Sequence, residues 1–387
     1  MATFPHVRVA GGPYERGRSY GQQAADRVAT SIAAYREVFQ AYASWDWAHV
    51  RAQADAYLPV ISAHAPKAVE EMRGIADGVG ADLADILAIN VRTEVMFAAR
   101  ARQAEAARSA PPECSSIAVL PEASADGHTL IGQNWDWLLH CFDTVVVLEA
   151  EQEDGPDFVT VVEAGLLAKT GMNSSGIGLA TNALVTDADR GEPALPYHVL
   201  LRMILDAEVL SDALTALQAG PRSSSANYLV AHRDGMAVNV EASPGDFSRL
   251  YLSYPDAGVA LHTNHFLADR LAARDVSLWV MADSPFRLER LRTAIRAADG
   301  GLSIDDLGTL LGDHANYPSG ICCHPDPRLD RLDQSATVAS VLMDLDARAM
   351  WVADGHPCTA AYRRLDYGEF LSKPSPLRDG APADVGG

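Results

Sequence analysis

Cys114 is the residue of this 387-residue chain whose position most invites a chemical role. It follows Pro111 and Pro112 and begins a short β-branched stretch, so its thiol is predicted at a junction between loop and strand. A nucleophilic cysteine needs a base, and the nearest histidine downstream is His128. Cleavage of the peptide bond before Cys114 would supply another base, because a free α-amine has a pKa of about 7.7–8.0. The alternative is a small buried residue at a strand start.

Polar side chains further along the chain could serve the same reaction. Asp136 lies at the end of a strand predicted to pair with the one that starts at Cys114, so a hairpin brings its carboxylate near that start. Such a carboxylate could hold an ammonium or orient an amine. Asn173 and Asn264 carry amides that can donate to a developing oxyanion, a contact worth about 3–4 kcal/mol in the transition state. Turn chemistry is the structural alternative for each asparagine.

The chain changes character near residue 113. Before it, apolar residues recur at steps of three and four from Val28 onwards, which predicts a helix, and further helices are predicted at Ala68–Gly78 and Leu83–Ala99. Residues 100–112 are predicted to form an exposed loop. After it, helices are predicted at Pro196–Gln218 and Pro285–Ala298, and residues 373–387 as a loose tail. Short β-branched segments between Gly-rich turns predict strands at Ile117–Leu120, Thr129–Gln133, Thr144–Glu149, Phe158–Glu163, Ile177–Thr181, Tyr228–Ala231, Ala237–Glu241, Val259–His262, Thr337–Met343 and Ala349–Val352. This order favours an α+β fold of layers over a parallel doubly wound sheet.

Charge and composition narrow the class of protein. The chain has 31 basic and 51 acidic residues, a net charge of −20, and such a surface repels nucleic acid and anionic membranes. No apolar run approaches the roughly 20 residues of a membrane span, and no secretory signal opens the sequence, so a soluble cytoplasmic protein is expected. The five cysteines show no repeated spacing, which favours reduced thiols over a disulfide framework.

A series of short motifs resembles one family along nearly the whole chain. The sequence is similar to the acyl-coenzyme A:6-aminopenicillanic acid acyltransferase family, cysteine peptidase family C45, within the N-terminal nucleophile (Ntn) hydrolase superfamily. Each motif is weak alone, and their order and spacing carry the resemblance. They are residues 12–17 with Gly21, 71–76, 90–94, 113–116, 132–137, 163–165, 171–176, 241–244, 262–265 and 316–318.

The resemblance implies a precursor that cuts itself before the cysteine, here between Glu113 and Cys114. Residues 1–113 and 114–387 would remain associated in one four-layer αββα fold with mostly antiparallel sheets. Cys114 would be the nucleophile and, through its α-amine, the base. Asp136 would anchor that amine, and Asn264 would donate to the oxyanion. The substrate would be a small-molecule amide or acyl donor, with or without an amine acceptor, and no cofactor or metal is implied.

Further site residues follow from the same motifs. Asn173 matches a position that lines the oxyanion or substrate region, Ser243 matches one tied to precursor processing, and Trp135 could line a pocket or pack in the core. Gln133 stands where related bile-salt and penicillin V hydrolases carry an arginine. Gln334 stands, in a loose alignment, where the penicillin-forming member has one. A neutral amide cannot hold a substrate carboxylate as a guanidinium does, so the substrate is not transferred with the motifs.

Three other functions are weighed against this one. A protease-like triad of Cys114 with His262 or His265 and Asn264 would need no cleavage. A catalytically dead family member could serve as a small-molecule binding protein. A zinc site could use His262 with His265, or Cys322, Cys323 and His324 with His314. Adjacent cysteines rarely serve one ion and the usual zinc spacing is absent, so the sequence favours the absence of a metal site.

Overall fold

The computed structural model describes residues 3–102 and 114–373. Glu113, and with it the predicted cleavage bond, lies outside the described residues, as do most of the predicted loop at 100–112 and the predicted tail after residue 373. Within the described ranges, no helix combines the length and the apolar character needed to cross a membrane.

The first part of the chain is a strand followed by helices, which agrees with the helical pattern of the sequence. The elements are β1 His6–Gly11, α1 Pro13–Gln23, α2 Ala25–Ala43, α3 Trp47–Asp55, α4 Leu58–His64, α5 Pro66–Val79, α6 Leu83–Asn90 and α7 Arg92–Arg102. The single helix predicted over Leu83–Ala99 is two helices in the structure, because Val91 leaves the helical conformation and ends α6.

The second part opens with hairpin strands and alternates sheet and helix. Its strands are β2 Cys114–Val119, β3 Leu130–Leu138, β4 Val145–Gln152, β5 Phe158–Glu163, β6 Thr170–Asn173, β7 Ile177–Ala183, β8 Ala226–His232, β9 Met236–Ala242, β10 Leu250–Ser253, β11 Val259–His262, β12 Ser335–Asp344, β13 Ala349–Ala353 and β14 Arg363–Asp366. Its helices are α8 Tyr197–Leu205, α9 Leu210–Ala216, α10 Ser277–Val280, α11 Ser284–Arg296 and α12 Ile304–Leu311, with short 3₁₀ turns at Leu139–Asp143 and Phe247–Arg249.

Two sheets pack face to face between layers of helix. Among the described residues the large sheet has the order β1-β4-β5-β6-β7-β8-β9-β10 and the small sheet the order β11-β2-β3-β12-β13-β14. Every pair is antiparallel except β1 with β4. Strands β2 and β3 lie across β7, so the inner faces of the two sheets meet there. The expected αββα fold with mostly antiparallel sheets is confirmed.

The outer faces of the sheets are covered by different parts of the chain. Val28 of α2 and Ile89 of α6 pack at Gly165, beside the end of β5, so the N-terminal helices cover the large sheet. Leu307 and Leu311 of α12 belong to one buried cluster with Leu342 and other apolar residues of the small sheet. Each sheet thus buries both faces, which explains why most strands are apolar on both sides.

Buried ion pairs connect the helical layer to the second part of the chain. Glu71 of α5 accepts hydrogen bonds from Arg16 of α1 and from Arg202 of α8, at 3.0 and 2.7 Å. Arg92 of α7 lies 3.3 Å from Glu163 at the end of β5. Partners in these pairs are at most 4% exposed, and removing one partner of such a pair leaves an uncompensated buried charge. These charged residues explain four of the family motifs in structural terms, namely the motifs at residues 12–17, 71–76, 90–94 and 163–165.

Glycines let α1 and α5 approach unusually closely. A β-carbon at Gly17 would lie 2.0 Å from the carbonyl oxygen of Glu71, and one at Gly74 would lie 2.1 Å from that of Tyr14. Gly21 and Gly78 repeat this arrangement one turn further on. Backbone fills the space that a side chain would need, so the two helices cannot keep this distance with any larger residue.

We expect Gly17→Ala to lower the free energy of unfolding by about 3 kcal/mol, because α1 and α5 must move apart. Gly312→Ala is the matched control, since its β-carbon would meet only ordinary contacts of 3.4 Å and longer, and its φ is −84°. The control should change stability by less than about 0.5 kcal/mol. Urea unfolding followed by circular dichroism measures both, and equal stability of the two variants would contradict this account of the crossing.

Candidate active site

Cys114 is the first residue of β2, in the interior of the small sheet. It pairs with Trp135 of β3 in the antiparallel ladder, so the two side chains share one face of the sheet. Asp136, one residue further, belongs to the opposite face of the strand. The hairpin predicted from the sequence therefore brings Cys114 and Asp136 into the same neighbourhood. Cys114 is 3% exposed.

Both polar backbone groups of Cys114 have side-chain partners. Its N–H donates to Oδ1 of Asn264 at 2.7 Å. Its carbonyl oxygen accepts from Nη1 of Arg287 at 2.8 Å and from Nδ2 of Asn182 at 3.1 Å. The ends of strands normally leave such groups to water or to the next strand. Here buried side chains fix the position of the residue that carries the thiol.

Arg287 ties this arrangement together from α11. Its Nη2 donates to the same Oδ1 of Asn264 at 2.9 Å, and its Nη1 also donates to Oγ of Ser115 at 3.0 Å. Asp283, one helical turn earlier, accepts from Nε at 2.6 Å and neutralises the charge. The planar guanidinium can hold these partners simultaneously because its donors point in fixed directions. Arg287, which is only 1% exposed, thus fixes the position of Cys114 relative to α11.

Opposing charges surround the Cys114 thiol. Burial raises its pKa, while the ammonium of Lys169 and a backbone hydrogen bond from Asp136 act against this. Lys169 itself lies 5.0 Å from the centre of the Trp135 ring and 5.7 Å from that of Tyr197. Burial lowers the pKa of Lys169 to about 8. The side chain is therefore still mostly charged at pH 7 and loses its proton just above neutrality. The ammonium favours the thiolate form of Cys114.

The Asp136 carboxylate has one satisfied and one free oxygen. Oδ1 accepts from the hydroxyl of Thr337 on β12 at 2.5 Å, and Oδ2 is buried without a hydrogen-bonding partner in the described part of the chain. Burial raises the pKa of Asp136 to about 7, although Arg287, Thr337 and Lys169 lower it. A carboxyl group with a pKa near neutrality can accept and return a proton, which is the property of an acid–base catalyst.

Asn264 follows β11 and turns its amide oxygen toward Cys114. Because its Oδ1 faces two donors, the N–H of Cys114 and Arg287, the orientation of the amide is determined by its neighbours. Its Nδ2 gives one hydrogen to the carbonyl of Ala183 at 2.9 Å. An amide nitrogen carries two hydrogens, so the second one can serve an oxyanion. The predicted role of Asn264 as a donor stays a prediction.

A chain of asparagines crosses the interior beside Cys114. Ser116 donates to Oδ1 of Asn182 at 2.7 Å, and Asn227 donates to the same oxygen and to Oδ1 of Asn239, at 3.2 and 2.9 Å. Asn239 then donates to the carbonyl of Leu261 at 3.3 Å. Neighbouring strands β7, β8 and β9 each supply one of these amides. The network links the two sheets beside Cys114. It also fixes Asn182, whose amide donates to the carbonyl oxygen of Cys114.

Gln133 and Trp135 lie on the inner face of β3, near Cys114 but turned into the sandwich. Oε1 of Gln133 accepts from Thr170 and from the N–H of Thr181, and Nε2 donates to the carbonyl of Thr181. These bonds connect the small sheet to β6 and β7. Trp135 is 1% exposed and its ring faces Lys169. Contact of Gln133 or Trp135 with a substrate stays a prediction.

Asn173 and Ser243 form no hydrogen bond with Cys114 in the described part of the chain. Asn173 donates to the carbonyls of Leu205 and Ala207 and accepts from the N–H of Ile177, which is turn and helix-end chemistry. It adjoins the start of β7, whereas Asn182 lies near the end of that strand, so the structure separates Asn173 from Cys114. Ser243 is fully buried just after β9, and its hydroxyl has no partner in the described part. Gln334 is at the surface and donates to the carbonyl of Leu329 at 2.9 Å.

The two histidines of the alternative triad face other partners. His262 contacts Glu241 through Nε2 at 2.8 Å and the carbonyl of Thr263 through Nδ1 at 2.7 Å. Nδ1 of His265 lies 2.8 Å from Oγ of Ser284, and burial lowers the pKa of His265 to about 4. Neither ring is placed as a base for Cys114. The motif at 262–265 serves to fix Asn264 and its strand.

The sequence analysis missed four residues of this site: Asn182, Arg287, Lys169 and Thr337. Lys169 carried a signal, since it is one of three lysines in the chain and stands in an apolar stretch. Arg287 and Thr337 carried none, because each comes from an element far from Cys114 in sequence and joins the site only through the packing of α11 and β12.

Comparison with known proteins identifies the family of the chain. Residues 123–358 match the family described as AAT, acyl-coenzyme A:6-aminopenicillanic acid acyl-transferase, a match that covers more than half of the chain. The chain belongs to this family. The expected family is thereby confirmed, and so is its general class of enzyme, the amidohydrolases and acyltransferases that act on C–N bonds.

Individual relatives of this family member are distant. It is 25% identical over 353 residues to the acyl-coenzyme A:6-aminopenicillanic-acid-acyltransferase 40 kDa form of Emericella nidulans, covering 91% of this chain and 93% of that protein. It is 23% identical over 282 residues to an uncharacterised protein of Archaeoglobus fulgidus, covering 65% of this chain and 47% of that one.

Two solved structures are also similar to this chain. A variant of conjugated bile acid hydrolase from Clostridium perfringens matches with a TM-score of 0.47 and 14% identity, covering 68% of this chain and 95% of that chain. Penicillin V acylase from Agrobacterium tumefaciens matches with a TM-score of 0.41 and 12% identity, covering 67% and 88%.

The raised pKa of Asp136 makes the stability of the uncut chain depend on pH. The folded chain keeps the proton up to about pH 7, whereas the unfolded chain loses it near 3.8, so this contribution to stability is lost as pH rises between these values. In a Cys114→Ala background, we expect the free energy of unfolding to fall by about 3–4 kcal/mol relative to Cys114→Ala/Asp136→Asn over that range. Urea unfolding at a series of pH values measures the difference, and parallel curves would exclude the raised pKa.

Proposed function

We propose that this chain is the precursor of a cysteine Ntn hydrolase, which cleaves its own Glu113–Cys114 bond and then acts on amide or thioester bonds of a small molecule through a Cys114 acyl-enzyme. The observation that carries the proposal is the set of hydrogen bonds that fixes the backbone of Cys114. Asn264, Arg287 and Asn182 hold both of its polar backbone groups, and its thiol lies within the fields of Asp136 and Lys169.

Self-cleavage begins with an attack of Sγ on the carbonyl carbon of Glu113. The thiol proton passes to the departing nitrogen of Cys114 as the C–N bond breaks. A thioester now joins residue 113 to Sγ, and water hydrolyses it to a carboxylate and a free thiol. Asn264 can keep its hydrogen bond to the nitrogen throughout, because an amide N–H and an amine both donate.

In turnover the new α-amine is the base. It takes the proton of the Cys114 thiol, the thiolate attacks the acyl carbonyl of the substrate, and the oxyanion accepts the second Nδ2 hydrogen of Asn264. The α-ammonium then protonates the leaving amine. Water or a second amine releases the acyl group, which makes the enzyme a hydrolase or an acyltransferase. The relative from Emericella nidulans is named as an acyltransferase, which supports a test for transfer.

The two segments of a cleaved chain would stay together. Strand β1 of the first segment is paired with β4 of the second, and the buried Glu71–Arg202 and Arg92–Glu163 pairs cross the same boundary. Separating the segments would expose these charges and one face of the large sheet to water. Association of the two products therefore needs no covalent link.

We expect freshly purified protein to separate under denaturing conditions into residues 1–113 and 114–387, because Cys114 supplies the nucleophile of its own cleavage. Cys114→Ala should remain a single chain. Cys141→Ala, which removes another buried thiol, should be cut as the wild type is. Intact-mass measurement distinguishes the fragments, and Thr337→Val should slow the cleavage by about tenfold through the loss of one hydrogen bond to Asp136.

Other outcomes of that measurement would favour other functions. An active, uncut 387-residue species would support the Cys-His-Asn hydrolase. A cleaved protein whose Cys114 does not react with iodoacetamide would support a dead family member that binds a small molecule. Product analysis with hydroxylamine as the acceptor separates hydrolysis from acyl transfer.

Lys169 provides a test of the thiol environment. Its ammonium lowers the pKa of Cys114, so Lys169→Met should raise that pKa and slow alkylation about tenfold at pH values below 8. Lys67→Met removes an exposed lysine of α5 and is the matched control. The pH profile of iodoacetamide labelling measures the effect. Identical profiles for both variants would show that Lys169 does not influence the Cys114 thiol.

A further inference from the structure

Four side chains with metal-binding atoms meet at one end of the small sheet. His314 follows α12, Cys322 and His324 lie in the segment before β12, and Cys358 lies between β13 and β14. Their Nε2 or Nδ1 and Sγ atoms are all within 4.8 Å of one another. Cys322 is buried, His324 is half-buried, and His314 and Cys358 are at the surface. We call these four residues the Cys2His2 cluster.

Three of the donor-atom distances, all from Nε2 of His324, match the edges of a tetrahedron around a zinc ion. The two Nε2 atoms are 3.1 Å apart, and Nε2 of His324 lies 3.5 Å from Sγ of Cys322 and 3.4 Å from Sγ of Cys358. Zinc bonds of about 2.0–2.1 Å to nitrogen and 2.3 Å to sulfur give tetrahedral edges of about 3.4 Å between nitrogens and about 3.6 Å between nitrogen and sulfur. The observed edges agree with these values to within a few tenths of an ångström.

The cluster also has the charge and shape that zinc requires. Two thiolates neutralise the charge of Zn²⁺, and two neutral imidazoles complete the four bonds of a closed structural site. The ring of His356 stacks on His324 at 4.3 Å and holds its orientation.

In the other groups of candidate ligands among the described residues, protein atoms already bind the carboxylates. Glu163, which lies with His140 and Cys141, already has the cation of Arg92 beside it. Asp344, which lies with His128, accepts the backbone N–H groups of residues 346 and 347. In the Cys2His2 cluster, the backbone N–H of Cys358 donates to Cys322 and the two thiols contact each other, so these hydrogen bonds join members of the cluster.

The sequence pattern concealed this cluster. Cys322 and Cys323 are adjacent and therefore argued against a single ion. In the structure Cys323 turns its thiol toward the backbone oxygens of His324 and Ser335, and Cys358 supplies the second sulfur from a distant loop. The expected absence of a metal site thus rested on a pair of cysteines of which only one belongs to the cluster.

The cluster lies next to the support of Asp136. The N–H of Cys323 donates to Oγ1 of Thr337 at 2.9 Å, and the N–H of Thr337 donates to the carbonyl of Cys323 at 3.0 Å. The Thr337 hydroxyl in turn donates to Asp136. A metal bound to Cys322 would therefore fix the residue that positions Thr337.

We propose that His314, Cys322, His324 and Cys358 bind one structural Zn²⁺ ion. The ion ties the end of α12, the segment before β12 and the loop after β13 to each other. Four protein ligands leave no open position, so the ion takes no part in bond cleavage. Its effect on the active site is to hold Thr337 and, through it, Asp136.

Metal analysis of the whole protein tests this site. Protein produced in zinc-supplemented medium and passed through a desalting column with a mild chelator should carry about one zinc per chain. Cys323→Ser is the matched control, because it removes the neighbouring thiol and leaves the four ligands in place, and it should retain zinc. Cys358→Ser and His314→Asn, both at exposed positions, should lose most of it while keeping the circular dichroism of the wild type.

Cobalt gives an independent readout of the two sulfurs. Co²⁺ added to zinc-free protein should produce the visible bands of a tetrahedral site with a thiolate-to-cobalt charge-transfer band, and Cys358→Ser should reduce that band by about half. Wild-type protein that binds no zinc after reduction and reconstitution, or variants that retain zinc equally with the Cys323→Ser control, would overturn the proposal. A Cys322–Cys358 disulfide that persists under reducing conditions would also overturn it.

Discussion

The structure of the candidate site depends on the desolvation of Cys114. Its backbone N–H and carbonyl are buried, and a buried peptide group without a partner costs about 1–3 kcal/mol. Asn264, Arg287 and Asn182 meet this requirement from three separate elements, the segment after β11, helix α11 and strand β7. Because these partners must be in place together, the position of Cys114 reports the correct packing of much of the second part of the chain.

The same constraint explains the polar interior between the sheets. Asparagine, glutamine, serine and threonine occupy inner-face positions where aliphatic side chains would pack as well, and they form a connected hydrogen-bond network around β7. A network of this kind fixes the register of facing strands more strictly than apolar packing does, since a shift of one residue would break many bonds at once. The sandwich is thereby kept rigid at the place where the thiol, the carboxylate of Asp136 and the ammonium of Lys169 must keep their spacing.

The sequence was most informative where local pattern decides structure. Phe158–Glu163 and Val259–His262 are strands with the predicted bounds, because turn residues flank both segments, Asp157 and Gly165 for the first and Gly258 and Asn264 for the second. The helix predicted over Pro196–Gln218 is instead two, α8 and α9, since residues 206–209 leave the helix although their composition allows it. Strands β1 and β6 were not predicted from the sequence, although they are as long as β5 and β11, respectively.

The site was predictable to the extent that its residues lie in recognisable motifs. Cys114, Asp136 and Asn264 came from such motifs, and the structure brings them together. Asn173, from an equally good motif, serves a turn. The partners that hold the site, Arg287 above all, depend on tertiary packing between distant elements, and no spacing in the sequence encodes that contact. Cys358 shows the same limit for the Cys2His2 cluster.

The course of the chain through the large sheet has a consequence for folding. Strand β1 and the N-terminal helices complete a sheet whose other strands come later in sequence, so the core forms only when both parts are present. An intact polypeptide reaches that state in a unimolecular reaction. Once divided before Cys114, the molecule would have to find its missing half by diffusion after any global unfolding, and its survival would rest on the rate of unfolding instead of on an equilibrium.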